Sequence, residues 1–145
     1  FTTNEKRIQL IMARKILPLI SLIGISVFGI LFLGGAGDDD NEILRQTFLV
    51  DATYYDSGYV EISFKDVSER SSNVVMEILG METTFQKQFE GSEFLEIVPF
   101  ENTPKYGWAI HPIVLEIDHK DFGHIQLKTE IHNQDEPKPS IIFAR

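Results

Sequence analysis

Four histidines are the residues of this chain most able to bind a metal ion, and all lie in its C-terminal part (His111, His119, His124 and His132). His119 and His124 are close in sequence to Asp118 and Asp121, and zinc and copper accept imidazole and carboxylate ligands. We expect a turn at 121–123 to bring these groups together, so His119, Asp121 and His124 are the candidate metal ligands. The alternative interpretation is that the histidines are exposed residues of strands and turns.

A second set of candidate residues is aromatic and polar. Lys105, Tyr106 and Trp108 lie in a loop bounded by prolines, residues 99–112. Tyr and Trp rings bury a large area and keep a polar group, which suits them to contact a protein or a glycan. These three residues are therefore the candidate partner-binding residues. The alternative is that the aromatic side chains fill the ends of a hydrophobic core.

Sequence motifs of the common enzyme classes are missing from the chain. It contains no G-x-S-x-G, Walker A, H-E-x-x-H or G-x-G-x-x-G pattern. It also contains no cysteine, which excludes disulfides, thiol nucleophiles, zinc–thiolate sites and iron–sulfur clusters. We therefore expect a protein without enzymatic activity and without a bound cofactor.

The elements that must position these residues are strands, because apolar and polar residues alternate with a period of two from Thr47 onward. The runs at 74–79 and 113–117 are more continuously apolar, which is typical of central strands. About eight strands joined by turn residues predict an all-β antiparallel sandwich over 46–145. The predicted strands are 46–52, 60–65, 74–79, 83–90, 94–98, 113–117, 123–132 and 140–144.

One short segment has a more specific pattern. The segment Asp121-x-Gly123-x-Ile125-x-Leu127 resembles the D-x-G-x-Y-x-C segment at the E–F corner of immunoglobulin domains. Ile125 and Leu127 stand at the positions of the family's tyrosine and cysteine, so the corner hydroxyl and the disulfide are absent. The resemblance implies an immunoglobulin-like β-sandwich and implies no particular function.

Residues 16–37 form an uncharged, mainly apolar run. As a helix the run is about 33 Å long, enough to cross a hydrocarbon core of about 30 Å. Basic residues precede the run and acidic residues follow it, which predicts a cytoplasmic N-terminus. The expected organisation is a cytoplasmic segment (1–15), a transmembrane helix (16–37), an acidic linker (38–45) and an extracytoplasmic sandwich (46–145). The alternative is a cleaved signal peptide.

The charge of the expected outer domain excludes one class of partner. Of the 13 Lys/Arg, four precede the apolar run, and of the 22 Asp/Glu only Glu5 does. Residues 38–145 therefore carry nine cationic and 21 anionic side chains, a formal charge near −12. Such a field repels nucleic acid.

These observations favour a non-catalytic protein-interaction domain that contacts the lipid bilayer through 16–37 and acts as an accessory subunit of a membrane or cell-envelope complex. Two alternatives stay open. The layout of an N-terminal apolar helix before a β domain resembles type IV pilins and archaellins, which implies a filament subunit. The candidate residues described above would instead suit a metal-binding or glycan-binding module.

Overall fold

The computed structural model describes residues 38–145. In this part of the chain, helix α1 (Asp38–Thr47) precedes nine strands, and a 3-10 helix (Trp108–Ile110) lies between β5 and β6. The strands are β1 (Phe48–Tyr55), β2 (Tyr59–Asp66), β3 (Ser71–Ile78), β4 (Phe85–Glu90), β5 (Glu93–Pro99), β6 (Ile113–His119), β7 (Gly123–Thr129), β8 (His132–Asn133) and β9 (Ile142–Ala144).

The strands form two sheets with a shared hydrophobic core. The four-stranded sheet has the order β5-β2-β1-β8, and the five-stranded sheet has the order β4-β3-β6-β7-β9. All pairings are antiparallel except that of β1 with β8. The prediction of an all-β sandwich is confirmed. As expected, the two apolar runs at 74–79 and 113–117 belong to interior strands, β3 and β6.

Alternation along each strand decides which side chains enter the core. On β2, Val60, Ile62 and Phe64 are buried, whereas Glu61, Ser63 and Lys65 lie on the other face. Successive side chains of a strand point to opposite faces, so this sequence leaves one face apolar and one face polar.

The segment 38–45, which we expected to be an acidic linker, is part of helix α1, which also includes Gln46 and Thr47. Acidic residues near its start (Asp40, Glu42) and Arg45 in its last turn complement the helix dipole. Leu44 is fully buried in the core, so tertiary packing holds this short helix in place.

Two predictions for the C-terminal part also need correction. The strand expected at 123–132 is split, because β7 ends at Thr129 and His132 pairs with Thr53 in the other sheet. The 121–123 turn joins β6 to β7 within one sheet. The E–F corner of an immunoglobulin domain connects opposite sheets. The resemblance at this turn therefore does not place an E–F corner there.

Within residues 38–145, no helix has both the length and the hydropathy needed to cross a bilayer. The predicted transmembrane helix (16–37) and the predicted cytoplasmic segment (1–15) lie outside the described residues.

Candidate functional site

A groove lies on the outer face of the four-stranded sheet and encloses about 790 Å³. Its floor comes from three neighbouring strands, in which Leu49 is opposite Lys65 and Ser63 is opposite Leu95. Helix α1 and the segment before β9 contribute further residues. We call it the sheet-face groove and define it by Arg45, Leu49, Asp51, Ser63, Lys65, Glu93, Leu95, Lys138 and Ile141.

Large apolar side chains are exposed on this face. Leu49 is 51% exposed and Leu95 is 60% exposed. Ile97, two residues beyond Leu95 on the same face of β5, is 55% exposed. Leu49 is on β1, and Leu95 and Ile97 are on β5, on the other side of β2. Isolated exposed apolar residues are common on monomers, but several on one face of a sheet are typical of a surface that another molecule covers.

Cationic side chains share the groove with Leu49 and Leu95. Arg45, Lys65 and Lys138 line the groove. The ion pairs among the described residues involve other cations, for example Arg70 with Asp121 and Lys87 with Glu96. Within the described part of the chain, the three groove cations are therefore free of ion-pair partners at 4.0 Å or less.

The carboxylate of Asp51 at the groove already has partners. His132 Nε2 lies 2.7 Å from Asp51 Oδ1, and the Thr53 hydroxyl donates to Asp51 Oδ2 at 2.8 Å. Burial raises the pKa of Asp51, but the hydrogen bonds from His132 and Thr53 and the charge of Lys138 outweigh it and lower the pKa overall. Asp51 is therefore an ionised carboxylate that its neighbours neutralise.

Both ring nitrogens of His132 lie within hydrogen-bond distance of an oxygen atom. Its Nδ1 lies 2.7 Å from the carbonyl oxygen of Asn133, and its Nε2 faces the carboxylate of Asp51. His132 and Asp51 therefore form a hydrogen-bonded pair, with the aspartate oxygen as acceptor. This pair attaches β8 to β1.

A second buried cluster surrounds Asp66 at the end of β2. Its carboxylate accepts hydrogen bonds from the hydroxyls and backbone N–H groups of Ser68 and Ser71 and from the backbone N–H of Arg70. His119 Nε2 lies 3.0 Å from the Ser68 hydroxyl and 3.3 Å from Asp66 Oδ2. Burial raises the pKa of Asp66, but these serine and backbone hydrogen bonds outweigh it and lower the pKa overall.

Neither cluster has the geometry of a catalytic triad. In a triad, the carboxylate contacts one ring nitrogen of the histidine and the nucleophilic hydroxyl contacts the other. Here Asp66 and Ser68 both face Nε2 of His119, and Nδ1 accepts hydrogen bonds from the backbone N–H groups of Asp121 and Phe122. In the other cluster, carboxylate and hydroxyl again share Nε2. The hydrogen bonds of each cluster connect strands and loops to each other, and in neither cluster does the histidine activate the hydroxyl as a nucleophile.

The structure does not bring the predicted metal ligands together. His119 is buried beside Asp66, whereas His124 is half exposed and bonds Asp118 Oδ1 at 2.9 Å. Asp121 forms an ion pair with Arg70. Among residues 38–145, no three His, Asp or Glu side chains are grouped so that they could hold a metal ion.

The expectation that the histidines are exposed is wrong for two of them. His119 is 5% exposed and His132 is 6% exposed. The physical reason is that each has an aspartate partner inside the fold, the fully buried Asp66 for His119 and the half-buried Asp51 for His132. His111 is half-buried, and its Nδ1 lies 3.1 Å from the carbonyl oxygen of Leu79.

The predicted partner-binding residues have different environments. Trp108 is 8% exposed, packs 5.1 Å from Tyr54 and donates from Nε1 to Asn133 Oδ1 at 3.0 Å. Tyr106 is 78% exposed, with the ammonium group of Lys105 5.6 Å from its ring centre. Lys105 and Trp108 both line a cleft of about 660 Å³ between residues 103–109 and 130–139. The indole is therefore mainly part of the core, and the exposed part of this loop is Lys105 and Tyr106.

Sequence reasoning missed the sheet-face groove. The segment 94–98 was predicted as a strand, and it is apolar at Leu95 and Ile97 as well as at the alternate positions Phe94 and Val98. A strand with one solvated face should alternate, so these two residues were the available signal. The contributions of Arg45 and Lys138 depend on the tertiary fold.

Comparisons of this chain with protein-family models, with curated proteins and with solved structures find no match.

Proposed function

We propose that this chain is a membrane-tethered, non-catalytic protein-interaction subunit whose immunoglobulin-like β-sandwich binds its partner through the sheet-face groove. In this proposal, residues 16–37 anchor the chain in a cell membrane and the sandwich lies outside, as part of a membrane or cell-envelope complex.

The exposed apolar side chains of Leu49, Leu95 and Ile97 are the observation that carries the proposal. Protein interfaces combine an apolar centre with a polar and charged rim. Here the apolar group is flanked by the cations Arg45, Lys65 and Lys138 and by Glu93. A rigid sheet presents these side chains, so little conformational entropy is lost when a partner binds.

The strand pairing supports the immunoglobulin-like type of sandwich. In immunoglobulin domains, strands A, B and E share one sheet and strands C, F and G share the other, to which variable domains add C′. Strands β1, β2 and β5 share one sheet, and β3, β4, β6 and β7 share the other. These seven strands therefore correspond in chain order to A, B, C, C′, E, F and G. Strands β8 and β9 are short additions at the edges.

The tether rests on the sequence of residues 16–37, which carries no charge between a basic and an acidic flank. Its length suits a hydrocarbon core, and the basic flank favours a cytoplasmic N-terminus. The non-catalytic assignment is supported by the two aspartate–histidine clusters, in which the hydroxyls are hydrogen-bonded in a structural arrangement.

Site-directed photo-crosslinking of the full chain in the membranes of producing cells tests this proposal. The photoreactive residue p-benzoyl-phenylalanine replaces Leu49, Leu95 or Ile97, one at a time. The matched control carries it at Gln88, which is exposed on the outer face of the other sheet and, like Leu95, lies on an edge strand.

We expect one protein to be captured from all three sheet-face positions and not from Gln88. After purification, that protein should bind the full chain and lose affinity for Leu95→Asp. Absence of any adduct, or equal capture from Gln88, would contradict the proposal.

N-terminal sequencing of the mature chain tests the tether separately. A start at or before residue 12 agrees with an anchor. A start near Ile16 would favour the filament-subunit alternative, because it would leave the apolar helix at the new terminus. A start near Asp38 would indicate a secreted protein.

A further inference from the structure

We propose that the sheet-face groove binds a protein segment that carries both apolar and acidic side chains, an inference that rests on the proposed protein-binding function. In this proposal, the groove recognises both the negative charge and the apolar side chains of its partner.

The distribution of cations supports an acidic partner. Residues 38–145 contain nine cationic side chains against 21 acidic ones, yet Arg45, Lys65 and Lys138 all line this groove. Within the described residues, none of the three forms an ion pair. A carboxylate of a bound segment would give each of them an ion-pair partner at the rim of an apolar surface, where desolvation is partial.

The groove has three cations and two carboxylates, so the carboxylates cancel only part of its positive charge. Asp51 has His132 and Thr53 as hydrogen-bond partners and also interacts with the charge of Lys138, and together these lower its pKa, which burial raises. Glu93 is the other acidic residue of the groove and lies opposite Lys65 in the strand register. Glu93 therefore offsets Lys65 and Asp51 offsets Lys138, which leaves the positive charge of Arg45 to attract a negative group.

A protein segment fits these observations better than an anionic bilayer surface. The formal charge near −12 of residues 38–145 repels a large anionic surface over a distance of about 8 Å at physiological salt. A segment with a few carboxylates interacts mainly with the cations nearest to it. The apolar residues Leu49, Leu95 and Ile141 would contact its apolar side chains.

Peptide binding to the full chain in phosphatidylcholine nanodiscs tests this inference. The probes are short fluorescent peptides built from a Leu-Glu-Glu repeat, with Leu-Gln-Gln and Leu-Lys-Lys repeats as controls, followed by fluorescence anisotropy. The variant is Arg45→Gln/Lys65→Gln/Lys138→Gln. Its matched control, Arg145→Gln/Lys120→Gln/Lys128→Gln, removes one Arg and two Lys charges from outside the groove.

We expect the Leu-Glu-Glu peptide to bind more tightly than both controls. Each exposed ion pair changes an affinity by roughly twofold, so the triple groove variant should weaken binding by about tenfold, and the control variant should bind normally. Leu95→Ser should also weaken binding, whereas Ile110→Ser, at an exposed apolar residue outside the groove, should not.

Three results would overturn the inference. The first is that the Leu-Glu-Glu peptide does not bind. The second is that the Leu-Gln-Gln or Leu-Lys-Lys peptide binds as tightly as the Leu-Glu-Glu peptide. The third is that the triple groove variant binds the Leu-Glu-Glu peptide as tightly as the wild type does. Displacement of the peptide by phosphatidylglycerol vesicles at a matched charge concentration would favour a lipid ligand and would also overturn it. If crosslinking from Leu95 still captures a partner in those cases, the proposed protein-binding function is retained and only the preference for an acidic segment is rejected. If crosslinking also captures no partner, both proposals are rejected.

Discussion

Asp66 and His119 join the two sheets of the sandwich. Oδ2 of Asp66, on β2, lies 3.3 Å from Nε2 of His119, on β6, and both side chains are fully buried. Nδ1 of His119 accepts hydrogen bonds from the backbone N–H groups of Asp121 and Phe122. The imidazole ring also stacks on the ring of Phe122, with 4.6 Å between the ring centres. One buried carboxylate thus connects the β2–β3 loop to the β6–β7 turn.

Asp66→Asn should destabilise the protein by about 2–4 kcal/mol, because a neutral amide cannot accept all the hydrogen bonds that the carboxylate accepts. The free energy of unfolding of the full chain is measured by urea titration, with the fluorescence of Trp108, the single tryptophan, as the signal. The matched control is Asp118→Asn, at a half-exposed aspartate that also pairs with a histidine. The control substitution should lower the free energy of unfolding by less than about 1 kcal/mol. Equal losses in the two variants would show that the buried network does not stabilise the fold.

Stability should decline in acid, because Asp51 and Asp66 have pKa values below their ordinary value of 3.8 in the folded protein. For Asp66, burial alone raises the pKa, and the bonds from Ser68 and Ser71 lower it by more. A lowered carboxyl pKa means that the stabilisation is complete above 3.8 and is lost as the pH falls through the folded value. Urea titrations across this range should show a steeper loss for the wild type than for Asp66→Asn. If the free energy of unfolding depends on pH in the same way in the wild type and in Asp66→Asn, the ionisation of Asp66 does not contribute to the acid dependence.

Glu77→Gln should stabilise the protein at neutral pH by less than about 1 kcal/mol. Burial raises the pKa of Glu77, and so does the nearby charge of Glu116, so the ionised side chain is unfavourable in the folded state. The gain should disappear as the pH falls below the ordinary value of 4.5, where glutamate becomes protonated in both states. Urea titration at both pH values measures the effect. Glu101→Gln, at an exposed loop residue, should leave stability unchanged at either pH.

Trp108 and Tyr106 should differ strongly in their effect on folding. Trp108→Ala removes a buried indole that packs on Tyr54 and Phe100, and should cost about 3–5 kcal/mol. Tyr106→Ala removes an exposed ring and should change the free energy of unfolding by no more than about 0.5 kcal/mol. Urea unfolding followed by circular dichroism measures both variants. A small effect of Trp108→Ala would mean that the indole is available for binding.

Several parts of the fold could be predicted because they depend on local alternation. The pattern of Val60, Ile62 and Phe64 was enough to place a strand and its buried face. Helix α1 could not be predicted in this way, because it is short and polar and is held by the burial of Leu44. The candidate site was largely beyond sequence reasoning, since Leu95 comes from β5 and Arg45 and Lys138 come from distant parts of the chain.

The sequence by itself determined the all-β class, the inward faces of the strands and the lack of cysteine chemistry, because these follow from residue types and from the two-residue period of an extended backbone. Only the tertiary structure decided which polar residues are buried. His132 and Asp51 are 81 residues apart, and His119 belongs to a different sheet from Asp66. Such contacts form when two sheets and their loops pack together, and no local pattern in the chain encodes them.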